Sequence, residues 1–122
     1  MTIIRQSERF YMMSNEQTQP PEPKPFNADD MAGHADQAAK LLKAMANTNR
    51  LMILCALHDN ELSVGELNEK IPLSQSALSQ HLAALRTANL VATRKEAQTV
   101  YYRIQGNEAS QVIGVLQKLY CP

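Results

Sequence analysis

The segment from Leu73 to Ile104 changes its periodicity once, from helical to extended, and that change limits the folds open to the chain. Pro72 closes the helix before it, since proline cannot donate the amide hydrogen a helix interior needs, and Ser74 follows as a good N-cap. At about 100° per residue, Leu78, Leu82 and Leu85 share one narrow stripe, while Ser76, Ser79, Gln80, Ala83 and Thr87 fall opposite. An ordinary solvated helix carries Lys and Glu on its outer face. This one carries short, uncharged, hydrogen-bonding side chains, which suit a groove. The major groove of B-DNA admits an α-helix, Gln pairs with adenine through two hydrogen bonds, and Ser bonds to bases or phosphates. The helix start, with Ser74, Gln75 and Ser76, adds free backbone N–H groups that favour a phosphate.

From Leu90 to Gln105 the residues become β-prone, in two short runs around a polar tip, which reads as a hairpin. Arg94 and Lys95 are expected at the tip, with Gln98 beside them, and Arg103 on the return strand, where a wing touches phosphates next to the groove. Between Ser74 and Gln105, Arg86, Arg94, Lys95 and Arg103 oppose only Glu96, while the whole chain holds 12 basic and 12 acidic residues. A basic patch in a neutral protein implies a directed electrostatic surface rather than general attraction to polyanions.

The 122 residues, 44% hydrophobic and 20% charged, make one small domain plus some tail. Residues 1–27 include Gln-Thr-Gln-Pro-Pro-Glu-Pro-Lys-Pro25 and are expected to form a disordered tail, with residues 28–122 as the DNA-binding and dimerisation domain. The apolar residues among the first thirteen are compatible with a weak helix or with a start at Met12 or Met13. The start lacks the apolar core of a signal peptide, and the run Leu51 to Leu57 is too short to span a bilayer, so the expected location is the cytoplasm.

Asp29 or Asp30 is expected to cap a first helix whose apolar stripe is Ala35, Ala38, Leu42 and Met45, and Asn47-Thr48-Asn49 to break it. A second helix, Arg50 to about His58, is apolar almost all round and belongs at the centre. Ser63 and Glu66 have capping-box spacing for a short helix with Val64, Leu67 and Ile71 inside. Short helix, tight turn and polar-faced helix describe a helix-turn-helix. The last helix, about Asn107 to Tyr120, carries Val112, Leu116 and Leu119, widened by Ile113, Val115 and Tyr120. That width exceeds what one small core needs and points to a homodimer, whose two heads would read half-sites about one helical turn apart on double-stranded DNA. The expected fold class is mainly α with a two-stranded β-wing: a winged helix-turn-helix of four helices, two strands and a fifth helix.

The string Glu61-Leu-Ser-Val-Gly-Glu-Leu67 followed by Leu73-Ser-Gln-Ser-Ala-Leu-Ser-Gln-His-Leu82 resembles the ArsR/SmtB family of bacterial winged-helix repressors, over residues 32–122. The resemblance implies a homodimer that binds an operator and changes grip when an inducer arrives. Many members sense metals through Cys-Val-Cys, which falls here on Ser63, Val64 and Gly65 without either thiol. Others use Asp and His of the last helix, which here has no His and only Glu108 as an acid. His34, His58 and His81 are scattered over different helices, and His81 suits a structural or phosphate hydrogen bond better than a metal. No metal or other cofactor is expected, and a metal-responsive repressor is the weaker alternative.

Leu51-Met-Ile-Leu-Cys55, Arg94-Lys-Glu-Ala-Gln-Thr-Val100 and Leu119-Tyr-Cys-Pro122 are similar to an HlyU- and BigR-like subgroup, whose two cysteines match Cys55 and Cys121. That likeness implies that reactive sulfur species or oxidants bridge the pair and alter DNA affinity. A thiolate is the attacking species, so one of the two should have a lowered pKa, with His58 on the face of Cys55 as a candidate helper. An enzyme such as a thiol peroxidase would need an accessible Cys with a positioned base, and no Gly-rich phosphate loop or paired-acid motif is present. A winged helix used only for protein contacts fits poorly with the small polar face from Ser76 to Thr87, because protein interfaces favour large anchors.

Overall fold

The computed structural model describes residues 25–121, so the expectations for the tail and start lie almost wholly outside the described residues. The chain divides into two units after Met31. Helix α1, Ala28–Met45, begins in the first. Its cap is Asn27 rather than Asp29 or Asp30: Asn27 Oδ1 accepts from the backbone N–H of Asp29 at 3.0 Å and of Asp30 at 3.3 Å. The two aspartates instead occupy the first turn, where a negative charge faces the positive end of the helix dipole.

The second unit holds the remaining elements: α2 (Thr48–Leu57), β1 (Leu62–Ser63), α3 (Val64–Lys70), α4 (Gln75–Thr87), β2 (Val91–Glu96), β3 (Thr99–Ile104) and α5 (Glu108–Tyr120). Asn47-Thr48-Asn49 does more than break a helix. Asn47 is the N-cap of α2, with its side chain accepting from Asn49 N and Arg50 N. Ile53, Leu54 and Leu57 of α2 are fully buried. They meet Leu67 and Ile71 around α3, Leu78, Leu82 and Leu85 of α4, Val91 of β2, and Ala109 and Ile113 of α5 in one apolar core. Each leucine, isoleucine or valine among them contributes about 1.5–3 kcal/mol through its removal from water. Among the described residues, no polar or charged one is buried.

The stripe expected on α1 is rotated. Leu41, Ala44 and Met45 pack on the core, while Ala35, Ala38 and Leu42 are exposed. Helix α5 likewise buries only Ala109 and Ile113, with Val112 and Leu116 partly covered and Val115, Leu119 and Tyr120 exposed.

The sheet has three antiparallel strands in the order β1-β3-β2, one more than the sequence announced. The added strand is two residues long, too short for an alternating pattern. Ser63 serves it and also caps α3, its Oγ accepting from Glu66 N while Glu66 Oε1 accepts from Ser63 N. Both roles are compatible because an N-cap residue is itself extended. After β3, Gly106 turns the chain into α5 with φ of 75°, where an added Cβ would meet Glu108 Oε2 at 2.8 Å. No helix among the described residues is long and apolar enough to cross a membrane.

Candidate nucleic-acid interface and thiol pair

Helix α4 is fixed from below by Leu78, Leu82 and Leu85. Its start is capped by Ser74, whose Oγ accepts from Ala77 N at 3.1 Å. The opposite face is open: Ser74, Gln75, Ser76, Ser79, Gln80, Ala83, Arg86 and Thr87 are all exposed. The first turn contains no acid and Arg86 lies in the last turn. The N-terminal N–H groups therefore keep their partial positive charge for an anion. Helix α3 is linked to this head by Asn68, whose Nδ2 donates to Leu73 O at 2.7 Å across the turn.

His81 stands apart from the other candidates. It is half-buried, and its Nδ1 accepts from Arg50 Nε at 3.4 Å, while Arg50 Nη1 donates to Ala44 O at 3.2 Å. Arg50 thus ties the end of α1 and the start of α2 to α4, and His81 faces that joint rather than the exposed face. Arg50 was missed in the sequence because a single arginine at a helix start has no distinguishing pattern.

The wing differs from expectation at its tip. Residues Ala97 and Gln98 form the turn, with Ala97 at φ of 54°, and Arg94 and Lys95 lie back in β2 opposite Tyr101 and Val100. Gln98 and Lys95 are exposed, as is Arg103 on β3. Arg94 is occupied. Its Nε donates to Glu61 Oε1 at 2.9 Å, its Nη2 donates to the same oxygen, and its Nη1 donates to Glu96 Oε2 at 2.7 Å. Its guanidinium also lies 4.7 Å from the centre of the Tyr101 ring. Hydrogen bonding from Arg94 holds the Glu61 carboxyl below the usual glutamate range, and Glu61 in turn pushes Arg94 further up. The local excess of positive charge is therefore smaller than the segment suggested, because Glu61 enters from outside it.

The second site lies between α2 and α5. Cys55, half-buried, and Cys121, exposed, are free thiols that line one cavity of about 200 Å³ together with Leu51, Leu116, Gln117 and Tyr120. Burial raises the pKa of Cys55, the nearby Cys121 raises it further, and a hydrogen bond from Gln117 opposes both. The expected lowering thus fails at Cys55: an apolar wall disfavours the thiolate more than one amide stabilises it. His58 faces Gln117, its Nδ1–H donating to Gln117 Oε1 at 3.0 Å, and Asp59 Oδ2 stands 3.9 Å from the same nitrogen. Gln117 was missed, although its position one helical turn before Cys121 was a signal. Among the described residues, no three His, Cys, Asp or Glu side chains gather as metal ligands, and neither family metal pattern fits the residues present.

A family model described as bacterial regulatory protein, arsR family, matches residues 47–93. The transcriptional activator HlyU of Vibrio cholerae is 58% identical over 97 residues, 80% of this chain and 90% of that protein. The solved structure of its reduced form superposes with a TM-score of 0.74, covering 76% of this chain and 98% of the other. The transcriptional repressor BigR of Xylella fastidiosa is 36% identical with a TM-score of 0.72, over 80% and 99% of the two chains. The homodimeric winged helix-turn-helix DNA-binding domain Mb0332 of Mycobacterium bovis is 31% identical with a TM-score of 0.65, over 79% and 89%.

Proposed function

The chain belongs to the arsR family of bacterial regulatory proteins, and from that premise we propose that it is a homodimeric regulator whose grip on operator DNA is set by Cys55 and Cys121. The family is one of transcriptional regulators, not enzymes. The observation that carries DNA reading is the outer face of α4, polar and short-chained on a helix immobilised by three buried leucines. In the major groove Gln80, Ser79 and Ser76 would meet base edges, Ser74 and Gln75 a phosphate at the helix start, and Lys95, Gln98 and Arg103 the backbone beside the groove. Gln80→Ala lowers affinity for the preferred duplex and leaves random duplex unaffected; equal loss on both refutes that role.

Two-fold assembly is supported by the uncovered Leu42 on α1 and Val115, Leu119 and Tyr120 on α5, and by the homodimeric relative. Residues 28–122 are then the DNA-binding and dimerisation domain. The thiol switch is supported by the shared cavity. A bridge between the two sulfurs would clamp the end of α5 to α2 and alter the dimer surface on α5. Formation of an S–S bond releases two protons and two electrons to a peroxide, which leaves as water. A polysulfide instead contributes sulfur to the bridge and leaves as hydrogen sulfide. A useful switch requires ~1–3 kcal/mol of coupling, or about 5- to 150-fold in affinity. The test is DNA affinity before and after treatment of wild type, Cys55→Ser and Cys121→Ser, with intact-mass measurement of each product. Both serine variants retain DNA binding and lose the response. A full response in both sinks the thiol reading while leaving DNA binding untouched.

A further inference from the structure

Opposed residues of an antiparallel ladder point to the same face, and faces alternate along each strand. The pairs Arg94↔Tyr101, Glu96↔Thr99, Ala92↔Arg103 and Ser63↔Tyr101 put Arg94, Glu96, Tyr101 and Arg103 on one face, and Lys95↔Val100 on the other. Glu61, two residues before Ser63, reaches from the β1 edge across β3 to Arg94 on β2. All three guanidinium nitrogens of Arg94 are thereby committed to carboxylates, two to Glu61 and one to Glu96, and its plane lies over Tyr101.

Two of the five N–H groups of Arg94 remain, but a phosphate reaching them also approaches Glu61 and Glu96, and contact through the bidentate fork requires both carboxylates to be released and left unneutralised beside the DNA backbone. A phosphate and a carboxylate bind the guanidinium fork in similar ways, so the exchange gains little attraction and adds repulsion. Half-exposed ion pairs contribute little to stability, and the hairpin is already held by six paired positions. The consequence of the Glu61 contact is therefore electrostatic more than architectural. Among the described residues, Lys95 and Arg103 have no carboxylate within 4.0 Å, although the charge of Arg103 also helps to lower the Glu61 pKa from a greater distance.

We infer that Glu61 is a positioning residue that keeps the Arg94 guanidinium over Tyr101 and already neutralised, leaving Lys95 and Arg103 as the phosphate-contacting cations of the wing. This rests on the reading that the wing meets the DNA backbone. It identifies a charge that a count of basic residues would wrongly assign to binding.

The test is the salt dependence of binding to a mixed-sequence duplex of about two helical turns, ~21 bp, by the full chain. Lys95→Gln flattens the slope of log K against log salt by about 0.9 for each engaged wing. Arg94→Gln combined with Glu61→Gln, which removes a cation and its carboxylate together and so exposes no extra negative charge, leaves the slope at the wild-type value, and Glu61→Gln combined with Glu96→Gln steepens it because the fork is released. In the unaltered protein, the Nε–H resonance of Arg94 keeps its position when the same duplex is added, which guards against variants that fold poorly. A flattened slope in Arg94→Gln with Glu61→Gln matching that of Lys95→Gln, an unchanged slope in Glu61→Gln with Glu96→Gln, or a moving Nε–H resonance overturns the inference. An unchanged slope in Lys95→Gln is a different failure: it removes the wing from the DNA altogether, and the inference falls with that reading.

Discussion

Ser74 is asked to do two things at once, and two substitutions separate them. Its Oγ caps α4 by accepting from Ala77 N at 3.1 Å, and no acid in the first turn shares that task. Ser74→Ala leaves that amide to water at best, a loss of about 1 kcal/mol in a range of roughly 0.5–2. Ser74→Asp restores an acceptor at the same position and places a negative charge on the positive end of the helix dipole, offsetting the loss and adding about 0.3–1 kcal/mol. If the same helix start faces a DNA phosphate, that carboxylate also repels it. Two unit charges about 4 Å apart interact by ~1 kcal/mol in water and by ~4 kcal/mol near a protein surface, so affinity drops at least fivefold for each reading head. The assay is a pair of measurements on each variant: urea unfolding at 25 °C and duplex affinity at fixed salt. Ser74→Ala is expected to unfold earlier, and Ser74→Asp to be at least as stable as wild type but poor at binding every sequence. A Ser74→Asp protein as unstable as Ser74→Ala refutes the cap argument, and one that binds like wild type refutes the phosphate argument.

Leu82→Ala, at a core position only 1% exposed, costs about 2–5 kcal/mol, read as a lower urea midpoint with an unchanged slope. The Cys55 thiol, raised by burial and by Cys121, alkylates with a midpoint above the free-cysteine value of ~8.5. Because the folded state holds this proton more tightly than the unfolded chain, the associated stability is present below that value and declines as pH rises through the folded midpoint. Removing the Gln117 amide in Gln117→Leu pushes the midpoint higher still, and alkylation near pH 7 in that variant contradicts the assignment. Ala97 turns the wing at φ of 54°, so Ala97→Gly relieves a left-handed strain of ~1–2 kcal/mol and gives back part of it in chain entropy, for a small net gain in thermal midpoint.

The elements of the reading head were legible because each signal is local. The leucine spacing of α4 follows from 3.6 residues per turn, and Ser74, Ser63 and Glu66 act on amides three residues away, so a linear chain specifies them. The buried leucines of α4 and the capping box of α3 sit where those rules put them. Asn27 capping α1 and Asn47 capping α2 were open to the same argument, yet each competed with neighbouring polar residues. Only the built helix decides which side chain reaches the amides.

What the sequence could not determine is every contact made between strands or helices far apart in the chain. Glu61 and Arg94 are 33 positions apart and His58 and Gln117 are 59 apart, and no periodicity links either pair. Their meeting depends on sheet register and on how α5 crosses α2. The sequence therefore determined which residues bear charge, sulfur or hydrogen-bonding groups and which helix displays them outward. The tertiary structure alone decided that Arg94 is already neutralised, and that the cysteine pair implied by the family resemblance shares an apolar hollow with Gln117. A side chain's charge is intrinsic to the residue, but the field and the dielectric around it belong to the fold.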